Sequence, residues 1–178
     1  MLRRLASRAG RQAIWGLLAL GFAGWEPAGA AEVVLRVDGL ACPFCAFGIE
    51  KKLLEVPAVG AIDIRMDAGE VRLVLREGQR LDVATLAAAV DKAGFTLRRI
   101  RIRDAVGTLR LDDSEGLILE CSDPPARFRL RLSGEDAPAP TEPGRRVSAG
   151  GWVERFDGNP PELHVLSLRP AGDDGAGL

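Results

Sequence analysis

Apolar and polar residues alternate with period two over residues 33–37, and Ala46, Ile49 and Leu53 then recur at helical spacing over 46–55. Proline and glycine punctuate 56–60, after which residues 61–66 and 71–76 alternate again on either side of a hairpin-like Asp67-Ala68-Gly69-Glu70. Asp82 stands where an N-cap belongs, before a helix with Val83, Leu86, Ala87 and Val90 on its apolar face, and Gly94 ends it. Residues 95–103 supply one more strand, with Phe95, Leu97, Ile100 and Ile102 as its apolar members. The pattern therefore predicts β-α-β-β-α-β in about seventy residues, the split βαβ order of a ferredoxin-like sandwich with both helices on one face of a four-stranded sheet.

Beyond Asp104 the helical period disappears. Five short strand-like runs follow, at 106–111, 116–121, 127–132, 146–155 and 163–168. Turn chemistry lies between them at 112–116 and 157–161, and a longer proline-containing loop spans 134–144. The Gly150-Gly151 pair falls inside a strand, where a barrel strand must bend sharply, so 105–170 resembles a small OB-like β-barrel. The fold class expected is α+β, a ferredoxin-like sandwich over 31–104 followed by this all-β unit, with a glycine- and aspartate-rich tail at 171–178.

Residues 1–30 read as a secretory signal. Four arginines precede an apolar run over 13–23, and Ala28-Gly29-Ala30 offers a small-residue cleavage site with a cut after Ala30. That run is short for a bilayer span of about 20 residues, and no second one follows. The expectation is a periplasmic or otherwise exported protein with no stable membrane insertion. Without the signal, 24 − 4 = 20 Lys and Arg stand against 25 − 1 = 24 Asp and Glu, a net charge of 20 − 24 = −4. A mildly acidic chain is a poor match for a nucleic-acid backbone, so nucleic acid is not expected as a partner.

Two of the three cysteines, Cys42 and Cys45, sit three apart on the strand-to-helix loop after residue 38, with Pro43 stiffening the space between them. Both sulfurs can turn toward one point, and the N–H groups that open the following helix favour the thiolate. Thiolates select soft ions such as Cu(I) and Zn(II), but two sulfurs do not complete a four-ligand zinc cage. A site of that kind suits a carrier that must hand its ion on. The same dithiol is also compatible with a disulfide, or with redox chemistry as a thiol-disulfide oxidoreductase. Against the oxidoreductase stands Pro57, which falls in a turn too early in the chain to face the dithiol as a thioredoxin-type fold requires.

Residues 32–103 resemble the heavy-metal-associated domain of copper chaperones, metal-pumping ATPase N-termini and periplasmic mercury-binding proteins. The resemblance is carried by Gly39-Leu40-Ala41-Cys42-Pro43-Phe44-Cys45, Ile49-Glu50-Lys51-Lys52-Leu53, Val56-Pro57-Ala58-Val59 and Ala93-Gly94-Phe95. It implies that Cys42 and Cys45 hold Cu(I), Hg(II) or Zn(II), that Phe95 packs near the loop, and that a membrane metal transporter or another carrier receives the ion. A metal-bridged dimer, with four sulfurs sharing one ion, is a further arrangement open to such domains. The family usually has methionine where this chain has Leu40, which reads as an apolar plug beneath the loop.

The remaining candidates have plainer readings. Cys121 and His164, the only histidine, lie in apolar strand-like runs and read as packing residues rather than third ligands. Met66 reads as packing in its hairpin strand, and Lys51 and Lys52 as a solvated helix face. No Ser/His/Asp grouping, phosphate-cradling glycine loop or H-E-x-x-H is present, so a binding protein rather than an enzyme is expected.

Overall fold

A computed structural model describes residues 31–122, 124–132 and 142–171. The expected signal segment at 1–30, most of the 134–144 loop and residues 172–178 of the tail lie outside these residues. The elements are β1 (Glu32–Asp38), α1 (Pro43–Leu54), β2 (Val59–Arg65), β3 (Glu70–Leu75), α2 (Val83–Lys92), β4 (Thr96–Asp112), β5 (Gly116–Ser122), β6 (Pro125–Leu132), β7 (Arg146–Val153) and β8 (Glu162–Pro170). No helix among the described residues is long and apolar enough to cross a membrane.

The first six elements keep the expected order, and their strands pair as β2-β3-β1-β4, all antiparallel. Alternation sends Val33, Leu35, Val71, Leu73, Ile100 and Ile102 to one face of this sheet, where Ile49 and Leu53 of α1 and Leu86 and Val90 of α2 cover them. Ala89 is buried in α2 and Ala87 only half-buried, a small rotation from the expected face. The α2 start is the one the sequence signals: the Asp82 carboxylate accepts from the Ala84 amide at 3.0 Å and from the Thr85 hydroxyl at 2.7 Å. Its end is a Schellman turn, in which the Phe95 and Gly94 amides donate back to the Val90 and Asp91 carbonyls while Gly94 takes φ +83.

The two strands expected at 95–103 and 106–111 are one strand, β4. A register shift between Ile102 and Ala105, with Asp104 at φ +53, inserts an extra residue, so the inward-facing parity changes from Ile100 and Ile102 to Ala105, Gly107 and Leu109. That slip reads in sequence as a break. The divide expected at residue 104 thus falls within a continuous strand whose first half closes the sandwich and whose second half opens the next unit.

In that unit the strands form a closed ring, β4-β5-β6-β8-β7 and back to β4, antiparallel throughout except for the parallel β6–β8 pair. Phe128, Leu109, Leu119, Val147, Val153 and Leu163 fill its interior. The expected small barrel is therefore present. Its tight spots are glycines with no room for a side chain: a Cβ on Gly107 would lie 2.5 Å from the Glu120 carbonyl oxygen. At Gly151, beside the β7–β8 register shift, a Cβ would meet the His164 carbonyl. The two units share β4 and one continuous apolar core, and the Leu81 amide donates to the Pro125 carbonyl across them at 3.0 Å.

Candidate metal-binding loop

The loop of interest leaves β1 at Asp38 and turns through Gly39, whose φ of +92 is a conformation that side chains disfavour. A Cβ there would also touch the Phe95 ring at 3.5 Å, so Phe95 packs against the base of the loop as the family resemblance implies. Leu40 is buried and joins the core, which makes it the apolar plug beneath the loop. Asp38 is held from across the sheet by Arg98 at 2.5 Å. Sixty residues separate the two, so no local signal in the sequence marks this brace.

Helix α1 begins earlier than its apolar periodicity suggests. Pro43 occupies the first helical turn, where its fixed φ and missing N–H cost nothing. Cys42 is consequently the N-cap, half-buried, with extended backbone at φ −134 and ψ 132, and its carbonyl accepts the first helical bond from Ala46 at 3.1 Å. Cys45 is the third residue of the helix rather than a loop residue, and its side chain lies outside the described atoms. The sequence expectation of two thiols on the loop is thereby corrected to one at the cap and one in the first helical turn.

The electrostatics at this terminus favour negative charge on sulfur. The helix N-terminus carries partial positive charge from its aligned peptide dipoles. No side chain caps the helix and no acidic residue occupies its first turn. Lys51 and Lys52 lie at the other end, about 14 Å from Cys42 at 1.5 Å per residue, and Lys52 pairs with Glu55 at 3.0 Å. They are a solvated helix end rather than a charge aid to the cysteines.

Two features of the site carried no sequence signal beyond their residue type. Phe44 is 90% exposed and Phe47 69% exposed, so a pair of aromatic rings stands in solvent beside the cysteines. Met66 falls just after β2 in the hairpin turn, 43% exposed, and not in the strand as expected. It borders a groove with Phe47 and Ile64.

The other candidates do not join the loop. Burial pushes the Cys121 thiol up to about 12, so it stays protonated at neutral pH, the state of a small packed hydrophobe. His164 stacks on Trp152 with ring centroids 5.8 Å apart and planes within 3°, and its Nε2 lies 3.4 Å from Glu162. Among the described residues no group of three or more His, Cys, Asp and Glu side chains is placed to hold a metal ion.

Comparison with known proteins adds an independent line. Copper-transporting ATPase 1 of Rhizobium meliloti (strain 1021) is 33% identical over 94 residues, which are 50% of this chain and 10% of that protein. Copper chaperone CopZ of Archaeoglobus fulgidus is 32% identical over 91 residues, 51% of this chain and 42% of that one. CopZ of Bacillus subtilis (strain 168) is 24% identical over 68 residues, 38% of this chain and 97% of that one. The chain thus spans a tenth of the ATPase and less than half of the archaeal chaperone. Among solved structures, the N-terminal domain of PacS from Synechocystis PCC6803 is similar over 38% of this chain and 92% of its own, with 24% identity and a TM-score of 0.33. The family description that matches this chain is "Heavy-metal-associated domain", and it covers residues 34–96, from β1 through the cysteine loop to the first residue of β4. Residues 34–96 thus match the heavy-metal-associated domain family.

Proposed function

We propose that this protein is an exported carrier that takes up one soft metal ion through Cys42 and Cys45 and passes it to a membrane transporter or a second carrier. The observation that carries the reading is the placement of Cys42 as N-cap and Cys45 as third residue of a helix with no acid in its first turn, inside a heavy-metal-associated domain. A thiolate pair at the positive end of a helix is stabilised as the anion that ligates, and sulfur donors prefer soft ions. Cu(I) is the proposed cargo, supported by the copper-handling names of the relatives, with Hg(II) and Zn(II) as the ions it must outcompete. Transfer proceeds by thiolate exchange: a partner sulfur joins the ion before one of this chain's sulfurs leaves, so the ion is never released to water.

The reading makes the chain a binding protein and not an enzyme, with residues 1–30 as its export signal. The C-terminal ring, read as OB-like from its strand order, serves to brace the sandwich and present it to a partner. Titration of the reduced, metal-free protein with Cu(I) against a competing chelator tests the proposal. One ion per chain is expected, lost in Cys42→Ser with the circular dichroism spectrum unchanged. Equal Cu(I) affinity in Cys42→Ser would refute the assignment, and catalysed reduction of insulin disulfides without metal binding would replace it with the oxidoreductase.

A further inference from the structure

On the helix-free side of the four-stranded sheet, beside the end of β7, lies a cleft of about 570 Å³. Val34 is its one apolar lining residue. Arg36 stands opposite Arg99 across the β1–β4 ladder, whereas Arg101 stands opposite the shorter Val34. Arg36, Arg98, Arg99 and Arg101 all line the cleft.

Three of these four are matched to carboxylates at the rim. Arg98 holds Asp38 at 2.5 Å, Arg99 holds Glu154 at 2.7 Å, and Arg36 lies 3.8 Å from Glu70 while also donating to the Ala68 carbonyl. The Arg101 side chain makes no hydrogen bond or ion pair among the described residues. Four cations against three anions leave the cleft with one positive charge in excess, in a chain whose formal net charge is −1.

The groups are also held in place. β4 is paired on both edges at this point, with Val34 on one side of Arg101 and Trp152 on the other, so the strand that carries Arg99 and Arg101 cannot shift. Arg99 is fixed twice from the barrel, by Glu154 and by the Trp152 ring, whose centroid is 5.2 Å from the guanidinium carbon. That ring is itself stacked with His164. The barrel therefore builds one wall of a cleft whose other wall is the sandwich.

A planar guanidinium with its donors unspent matches a carboxylate or phosphate bidentately, and a volume of this order fits a small molecule. We propose that this cleft binds a small organic anion bearing two or more carboxylate or phosphate groups, one of them on Arg101 and another reaching the spare donors of Arg99 or Arg36. The bounded volume, with carboxylates at its rim, favours a small anion over an extended acidic polypeptide.

Isothermal titration of the full-length, metal-free protein with citrate, and separately with pyrophosphate, at constant ionic strength tests this. Saturable binding of at least one is expected; citrate alone identifies a carboxylate ligand and pyrophosphate alone a phosphate one. Arg101→Gln should weaken it about tenfold or more, the loss of one charge-assisted pair. Arg101→Lys should fall between, keeping the charge but not the fork. Arg103→Gln, which removes a partner of Glu32 outside the cleft, should leave binding unchanged. Cys42→Ser should also bind the anion normally, which separates this result from the metal reading. Absence of binding by both anions at millimolar concentration, unchanged affinity in Arg101→Gln, or binding of a polyglutamate peptide alone would each overturn the proposal.

Discussion

The sandwich and the barrel solve the same problem in different ways. The sandwich buries one face of its sheet under two helices, and its tight positions are turns: Gly39 at φ +92 and Gly94 at φ +83 are needed for backbone conformation. Among its described residues the barrel has no helix, and it buries its face by curling the sheet onto itself. Its tight positions, Gly107 and Gly151, are glycine because strands approach too closely for a Cβ. Conformational glycines leave a mark in local sequence, since they follow a cap or open a turn. Steric glycines depend on a partner strand, and the residues they would strike are thirteen positions away in both cases, at Glu120 and His164.

The comparison can be broken from the barrel side first. Phe128→Ala removes the largest fully buried side chain among the described residues and should cost about 3–5 kcal/mol in urea unfolding. Gly151→Ala should cost about 3 kcal/mol, because the clash is with backbone and cannot be relieved by a rotamer. If the units were independent, both variants would leave a second, unchanged unfolding transition. A single destabilised transition is expected, because β4 and the apolar core run through both.

Cys121, in the barrel, sharpens the contrast chemically. With its pKa raised from 9.0 to about 12, Cys121 should be alkylated far more slowly at pH 8 in the folded protein than in urea-unfolded chains. The sign for stability follows from the same shift. Below pH 9 the thiol is protonated in both folded and unfolded chains and stability is intact. Between pH 9 and about 12 the unfolded chain ionises first, so stability falls as pH rises, and Cys121→Ala should abolish that part of the slope.

Smaller effects belong to the sandwich surface. Asp82→Ala should cost about 1 kcal/mol through the lost α2 cap. Lys52→Ala should cost less than about 0.5 kcal/mol, as its pair with Glu55 is solvent-exposed. Chemical denaturation of each variant checks both values, and a Lys52→Ala loss as large as that of Asp82→Ala would mean that the α1 end is braced by more than this pair.

Much of the fold was legible along the chain. Helical spacing, the Asp82 cap and the Gly94 stop place both helices of the sandwich, and period-two runs place its hairpin, because each of these signals is made by neighbours within a few residues. The start of α1 is not legible from periodicity, which begins only at Ala46, whereas Pro43 already sets helical geometry and brings Cys45 into the helix. Strand β4 reads as two runs along the chain because a bulge shifts its parity at the point where it passes from one unit to the other.

By itself, the sequence determined the cysteine pair, its flanks and the order of elements, all of which rest on short-range backbone preference and on side-chain periodicity. Only the tertiary structure decided that one strand serves both units, that Asp38 is braced by Arg98, and that Arg101 stands opposite Val34 at a cleft with its side-chain donors unspent. Those facts arise from cross-strand register, which brings together residues sixty or more positions apart, and register is set by the whole sheet rather than by any stretch of the chain.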